Sequence, residues 1–291
     1  MRAMSRSNPI VKRKAGAAAG QDVPSGPKEG PLLVIDIGNT NVVFGVYGGD
    51  ALINHWRLNT MLGRTIDEYA ILFESLLDFE GLKLADIGSA IISCVVPPLM
   101  IPFQMMCCKY VGIEPIIVEP GIKTGMPILY ENPQEVGADR IVNAVAGYDK
   151  YRKALIIVDF GTATTFDYVT PRGEYVGGVI SPGIMISLEA LFSSASKLPR
   201  VELVKPKEII AKNTINAIQA GIVYGYISLV DGIVDRMKAA VGTDPRVIAT
   251  GGNANLIYRE SHSLDEVDEL LTLRGLKILY EKNKDYHKFR V

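Results

Sequence analysis

The chain is predicted to fold as two similar α/β domains of duplicated β-β-β-α-β plan that face one another across a cleft. Three observations predict this. The order strand, strand, strand, helix, strand occurs twice along the chain. Each copy opens on an apolar strand that breaks at an Asp-x-Gly turn, "VIDIGNTNVVFGVY" at 34–47 and "IVDFGTATTFDYV" at 157–169. The 291 residues, 48% apolar and 22% charged, have an ordinary globular composition and exceed what one simple core needs.

In the first half "PLLVIDI", "NVVFGVY" and "ALINHWRL" read as strands, and "GGD" at 48–50 is a short hairpin signal between the last two. "TIDEYAILFESLLDFEG" turns helical, with Ile66, Tyr69, Ala70, Phe73, Leu76 and Leu77 on one face. Thr65 and Glu68 have capping-box spacing and Gly81 follows the last turn. "SAIISCVV" is a continuous apolar strand of the kind found in a covered sheet. The prolines after it, Pro97 and Pro98, read as a turn.

The second half repeats the plan. "ALIIVDF", "ATTFDYVT" and "GEYVGGVI" are strands, with "PRG" at 171–173 as a turn. "SPGIMISLEALFSSASKL" opens a helix with Pro182 in its first turn. A long helix runs from about Thr214 to Ala240 on a stripe of Ile215, Ile218, Ile222, Leu229, Ile233 and Met237. Its glycines, Gly221, Gly225 and Gly232, cost roughly 1 kcal/mol each relative to Ala. Close packing against another helix or subunit would justify them. "RVIATGG" is a further buried strand, and the C-terminal "RGLKILYEKNKDYHKFRV" reads as a helix and short tail. The divisions drawn are a basic, disordered extension over 1–30, an N-terminal domain over 31–145 and a C-terminal domain over 146–291. The extension carries net charge +4, leaving −5 on the remainder of a chain whose total is −1.

That charge points to no nucleic-acid or membrane partner, and no apolar stretch reads as a membrane span. Cys94, Cys107 and Cys108 form no disulfide framework and suit a reduced, cytoplasmic protein. His55, His262 and His287 lack metal-ligand spacing, Trp56 reads as core, and Asp67 and Glu68 are explained by the start of their helix. Asp167 follows the second turn with its role open.

The two turns carry the chemistry. Asp36 at a strand exit suits a hydrated Mg²⁺, Gly38 lets the backbone approach a ligand, and Asn39-Thr40-Asn41 offers N–H groups to phosphate oxygens. No helix follows the glycine, so neither a P-loop nor a dinucleotide fingerprint is present. One such turn alone is an ordinary hairpin; two in matched settings point to a phosphate site. Between them, "GADR" at 137–140 precedes a helix. The plainer reading makes Asp139 an N-cap and Arg140 a solvated neighbour. The functional reading makes Asp139 an acceptor for a hydroxyl proton and Arg140 a fork for a carboxylate.

Together "DIGNTN", "GADR", "DFGTATT", "GGVISPGI", Asn213-Thr214 and "ATGG", in this order, resemble the type III pantothenate kinase family over residues 32–283. The two hairpins resemble the phosphate loops of the actin-like (ribonuclease-H-like) ATPase and sugar-kinase superfamily, so the resemblance implies two actin-like domains around a nucleotide cleft. It implies phosphorylation by ATP of the primary hydroxyl of pantothenate, the first step toward coenzyme A. Asp36, Ile37, Gly38, Asn39, Thr40, Asn41, Val42, Val43 and Thr162 fall on ATP contacts. Tyr130, Gly137, Ala138, Asp139, Arg140 and Thr214 fall on pantothenate contacts, with Asp139 as general base. Asp159 falls on a ligand of a monovalent cation, K⁺ or NH₄⁺. The family's dimers imply a homodimer. Another kinase of the superfamily and a non-catalytic regulator on the same fold remain alternatives.

Overall fold

The computed structural model describes residues 28–287. Residues 1–27 of the expected extension, and the side chain of His287, lie outside the described residues. Lys28, placed in the extension by composition, is tied to the fold: its N–H donates to the Gly88 carbonyl and its ammonium to the Val111 carbonyl.

Two five-stranded sheets repeat one topology. The first contains β1 (Leu32–Ile37), β2 (Asn41–Gly48), β3 (Ala51–Asn59), β4 (Ser89–Cys94) and β5 (Ile116–Ile117), in the order β3-β2-β1-β4-β5. The second contains β6 (Leu155–Phe160), β7 (Ala163–Val169), β8 (Tyr175–Pro182), β9 (Arg246–Thr250) and β10 (Glu266–Val267), in the order β10-β9-β6-β7-β8. In each, the opening hairpin is antiparallel and the later strands join parallel to the first. The helices are α1 (Ile66–Asp78), α2 (Pro97–Met106), α3 (Ala138–Tyr151), α4 (Ile184–Ser194), α5 (Thr214–Val241), α6 (Ala254–Tyr258) and α7 (Leu271–His287). The Thr65–Glu68 capping box forms as its spacing predicts.

Three corrections concern element identity. The prolines after β4 do not make a turn but start α2, because Pro97 and Pro98 occupy first-turn positions whose N–H groups have no helical acceptor. Pro182 ends β8 rather than entering the next helix, which begins at Ile184 with Gly183 as its N-cap. α5 is, by length and composition, apolar enough to cross a membrane, contrary to the reading from sequence. Val223, Val230 and Val234 bury it in the C-terminal core. Buried Asp231 anchors it, accepting hydrogen bonds from Ser263 and lying 2.9 Å from His262 Nδ1.

The central strands β1, β4, β6 and β9 are covered on both faces, and period-two alternation sorts the residues of β1 and β6 between cores. Leu33, Ile35 and Ile37 of β1 enter an N-terminal core with α1 and α2. Ile156, Val158 and Phe160 of β6 enter a C-terminal core with α5 and α6. Leu32 and Val34, with Leu155 and Ile157, face a third core shared by both sheets and filled by α3 and α7. The next residues on that shared face are Asp36 and Asp159. α3 runs unbroken through Val145 and Ala146, where the domain division was drawn, and its residues from Arg140 to Gly147 are all buried.

α3 and α7 touch backbone to backbone. A Cβ at Gly275 would stand 2.2 Å from the Val142 carbonyl oxygen. Gly275→Ala would gain about 1 kcal/mol of helix propensity. The clash falls on backbone that cannot swing away, so a net loss of roughly 1–3 kcal/mol is expected in denaturant unfolding. Unchanged stability would mean that the interhelical spacing is not limiting.

Candidate active site

The first hairpin turn is closed by Gly38 N–H donating to the Asn41 carbonyl at 2.9 Å, and the second by Gly161 N–H donating to the Ala163 carbonyl at 3.0 Å. Thr60, just past β3, braces the first: its hydroxyl donates to the Gly38 carbonyl at 2.6 Å and its N–H to the Thr40 carbonyl at 2.9 Å. The tips meet across the cleft, where the Thr40 and Thr162 hydroxyls lie 2.7 Å apart. Asn39 and Thr40 are exposed, and Asn41 and Val43 half-buried. Ile37 and Val42 are fully buried in the N-terminal core, so only their backbone is available to a ligand.

Asp36 and Asp159 hold equivalent places. Asp36 pairs with Val43 across the hairpin and with Ser93 on β4; Asp159 pairs with Thr165 and with Thr250 on β9. Burial and the Asp139 charge raise both carboxyls to about 7, with the Asp159 charge adding to the effect at Asp36 and the Asp167 charge at Asp159. The Ser93 hydroxyl is buried and makes no hydrogen bond of regular geometry, yet it lies close enough to Asp36 to ease its ionisation. Asp159 is oriented by Asn143, whose amide donates to Oδ2 at 2.9 Å while its oxygen accepts from Thr272 at 2.7 Å.

Asp139 does not cap α3. Gly137 is the N-cap, and Asp139 sits in the first turn with Oδ1 accepting from the Arg140 N–H at 2.8 Å. A Cβ at Gly137 would lie 2.6 Å from that oxygen, which accounts for the glycine. Burial raises the Asp139 carboxyl above its ordinary value, and the Asp167 charge adds to the effect.

Arg140 is not a solvated neighbour either. It is 7% exposed, with Nε 2.9 Å and Nη2 2.6 Å from Asp167 Oδ1. Tyr175 donates to the same oxygen at 2.7 Å, and Thr165 donates to Oδ2 at 3.3 Å. Burial opposes the Arg140 charge, but the Asp167 contact outweighs it and holds the guanidinium ionised. Asp167, whose role the sequence left open, therefore fixes one edge of Arg140 and leaves the Nη1 side for a ligand. Tyr130 stands beside this group, its ring centroid 6.5 Å from that of Tyr175, and Ala138 packs on the shared core.

Thr214 lies apart. It is the exposed first residue of α5, in the wall of a cavity of about 590 Å³ that also takes in Leu191, Lys212 and Gly221 and none of the cleft residues.

The sequence reading missed Asn143, Thr60 and Ser93. Asn143 had a signal, one helical turn after Asp139. The others act through pairing between strands, which one strand does not disclose. Gly251 turns the chain with φ +91° against Asp159, where a Cβ would meet the Oδ1 atom at 2.7 Å. Only glycine allows "ATGG" to approach this carboxylate so closely.

The sequence profile of the family described as type III pantothenate kinase matches residues 32–236. A type III pantothenate kinase of Geobacter sulfurreducens is 61% identical over 254 residues, covering 87% of this chain and all of the relative. One of Syntrophobacter fumaroxidans is 59% identical over 87% of this chain and 98% of the relative. Among solved structures, a putative Baf family transcriptional activator from Campylobacter jejuni aligns with TM-score 0.54 and 20% identity, over 87% of this chain and all of that one. MreB 5 of Spiroplasma citri, bound to AMPPNP, aligns with TM-score 0.52 and 13% identity, over 91% of this chain and all of that one. The two repeated sheets with their helices have the actin-like fold of that structure.

Proposed function

The chain belongs to the type III pantothenate kinase family, and from that membership we propose how its residues carry the reaction. It phosphorylates pantothenate with ATP as donor, in coenzyme A biosynthesis. The reading that follows rests chiefly on the Thr40–Thr162 contact, which brings both hairpins and the Asp36, Asp139 and Asp159 carboxylates to one cleft.

In this reading the turn N–H groups from Gly38 to Asn41 and the Thr162 hydroxyl hold the ATP phosphates. Asp139 accepts the proton of the primary hydroxyl of pantothenate through Oδ2, since Oδ1 is engaged by the Arg140 N–H. Arg140, aimed by Asp167, takes the pantothenate carboxylate on its Nη1 side, with Tyr130 and the Gly137–Ala138 backbone lining the same place.

Asp36 and Asp159 fit hard cations. Both are carboxylates at strand ends, and the buried Ser93 hydroxyl beside Asp36 is a further oxygen donor. No three Asp, Glu, His or Cys side chains among the described residues converge on one point as a self-contained cage. This donor set would suit Mg²⁺ at Asp36 and K⁺ or NH₄⁺ at Asp159. Bound there, the cations would offset the charge of the triphosphate. A coupled assay is expected to release ADP only when pantothenate is present, and to need Mg²⁺ and K⁺ or NH₄⁺. Full activity without a monovalent cation would remove that role from Asp159.

A homodimer is part of the reading. Ile180 on β8, Met185 and Ile186 on α4 and Ile215 on α5 are exposed apolar side chains. A Cβ at Gly221 or Gly225 would meet nothing within 4 Å, so no helix among the described residues explains these glycines. A second copy packed on α5 would do so and would bring Thr214 of the partner subunit toward the pantothenate site. Gly225→Arg is expected to fold, because the space is open. It should move the solution mass from twice the 31.7 kDa chain to once, and raise KM for pantothenate. A wild-type chain that is already monomeric by light scattering would end this part of the reading. The free cysteines, Cys94, Cys107 and Cys108, support a cytoplasmic location.

A further inference from the structure

Arg57 belongs to no motif in the sequence, yet the strand registers place it in the cleft. Directly opposed residues of antiparallel strands share a face. Asp36 opposes Val43, and Val43 opposes Arg57, so Asp36, Val43 and Arg57 form one row across β1, β2 and β3 on the face that looks toward the second sheet. Phe44 and Trp56, one position along, form the next row, and both pack into the N-terminal core behind it.

The Arg57 side chain crosses to the other domain. Its Nη1 lies 3.3 Å from where a Cβ would stand at Gly252. The guanidinium thus spans from the first phosphate hairpin to the glycine turn after β9. Its charge reaches both Asp36 and Asp159, easing the ionisation of each. The Arg57 side chain is exposed and makes no hydrogen bond or ion pair among the described residues. Of the described arginines only Arg259 shares that condition; Arg140, Arg246 and Arg274, for example, are all paired with carboxylates.

We propose that Arg57 is a phosphate clamp, its guanidinium closing over the outer phosphates of the bound nucleotide from the β3 side of the cleft. This rests on the reading that the triphosphate lies between the two hairpins. A planar, permanently charged fork with free donors suits a polyanion, and at this place it faces the repulsion that Asp36 and Asp159 would otherwise present to one. The side chain on β3 and the Gly252 turn belong to different sheets, so a bound phosphate would also tie the two domains together.

The test is calorimetric titration of ATP, ADP and AMP, with Mg²⁺, into the wild-type chain, Arg57→Lys and Arg57→Gln. A clamp on the outer phosphates predicts a loss of roughly ten- to hundredfold in ATP affinity for Arg57→Gln, with AMP affinity kept within about twofold and Arg57→Lys intermediate. The KM for ATP should rise while the KM for pantothenate holds. Equal losses for all three nucleotides, or no loss for ATP, would overturn the clamp and leave Arg57 a counter-charge to the two carboxylates. Thermal unfolding of the unliganded variants separates misfolding from lost binding. A wild-type chain that binds none of the nucleotides would overturn the cleft assignment itself, a different failure from wild-type binding that Arg57→Gln leaves intact.

Discussion

Asp139→Asn is expected to lower kcat by roughly 10²–10⁴-fold while the fold is kept and neither ATP affinity nor thermal stability falls below that of the wild type. The geometry makes this substitution clean. Oδ1 of Asp139 accepts the Arg140 N–H within the first turn of α3, and an Asn carbonyl oxygen can keep that bond. What is lost is the second oxygen. An amide NH₂ in its place donates a proton where the proposed base would accept one. The raised carboxyl strengthens the case, since burial makes Asp139 a better proton acceptor than a solvated aspartate. The Arg140–Asp167 pair does not depend on Asp139, so KM for pantothenate should move little. Turnover within about threefold of wild type would exclude Asp139 as the base.

Asp159→Asn is expected to stabilise the protein at pH 8 in buffer free of nucleotide, Mg²⁺ and monovalent metal ions. Burial and the neighbouring charges raise this carboxyl from 3.8 to about 7. The folded chain therefore holds the proton more tightly than the unfolded chain does. Between about pH 4 and pH 7 the unfolded state has released it while the folded state has not, so stability falls as pH rises through that window. Each tenfold difference in proton affinity between the two states corresponds to about 1.4 kcal/mol. Asp36 and Asp139 titrate against Asp159, so the expected gain is about 2 kcal/mol rather than the full difference. That corresponds to roughly 4–8 °C in thermal midpoint at pH 8, shrinking to nothing below about pH 4. The Asn143 amide can still bond the new side chain through its oxygen, so the variant has no reason to lose packing. Adding K⁺ should raise the wild-type midpoint and leave the variant unmoved. A variant less stable than wild type at pH 8 would show that Asp159 does not carry this cost.

Most of the fold was legible because it is written in local periods. Continuous apolar runs broken at an Asp-x-Gly turn marked β1 and β6, and the capping box marked α1. The errors occurred where a local signal has two structural uses. Paired prolines stop a strand and also start a helix, as at Pro97 and Pro98. A long apolar helix is compatible with a membrane or with a core, and packing decides, as it does for α5. The site divided along the same line. Asp36, Thr40, Asp139, Asp159 and Thr162 stood in motifs. Asn143, Thr60 and Arg57 did not, because each acts through a neighbour on another element.

By itself the sequence determined two copies of a hairpin that ends on a carboxylate, and a helix that opens on Asp139-Arg140. These depend on residues within one or two turns of each other. Only the tertiary structure decided that Thr40 meets Thr162, that Asp167 rather than solvent holds Arg140, and that Arg57 shares a row with Asp36. Those relations arise from sheet register and from the packing of α3 and α7 between two sheets. Their free energy comes from burying side chains far apart in the chain, so no stretch of the sequence read alone contains them.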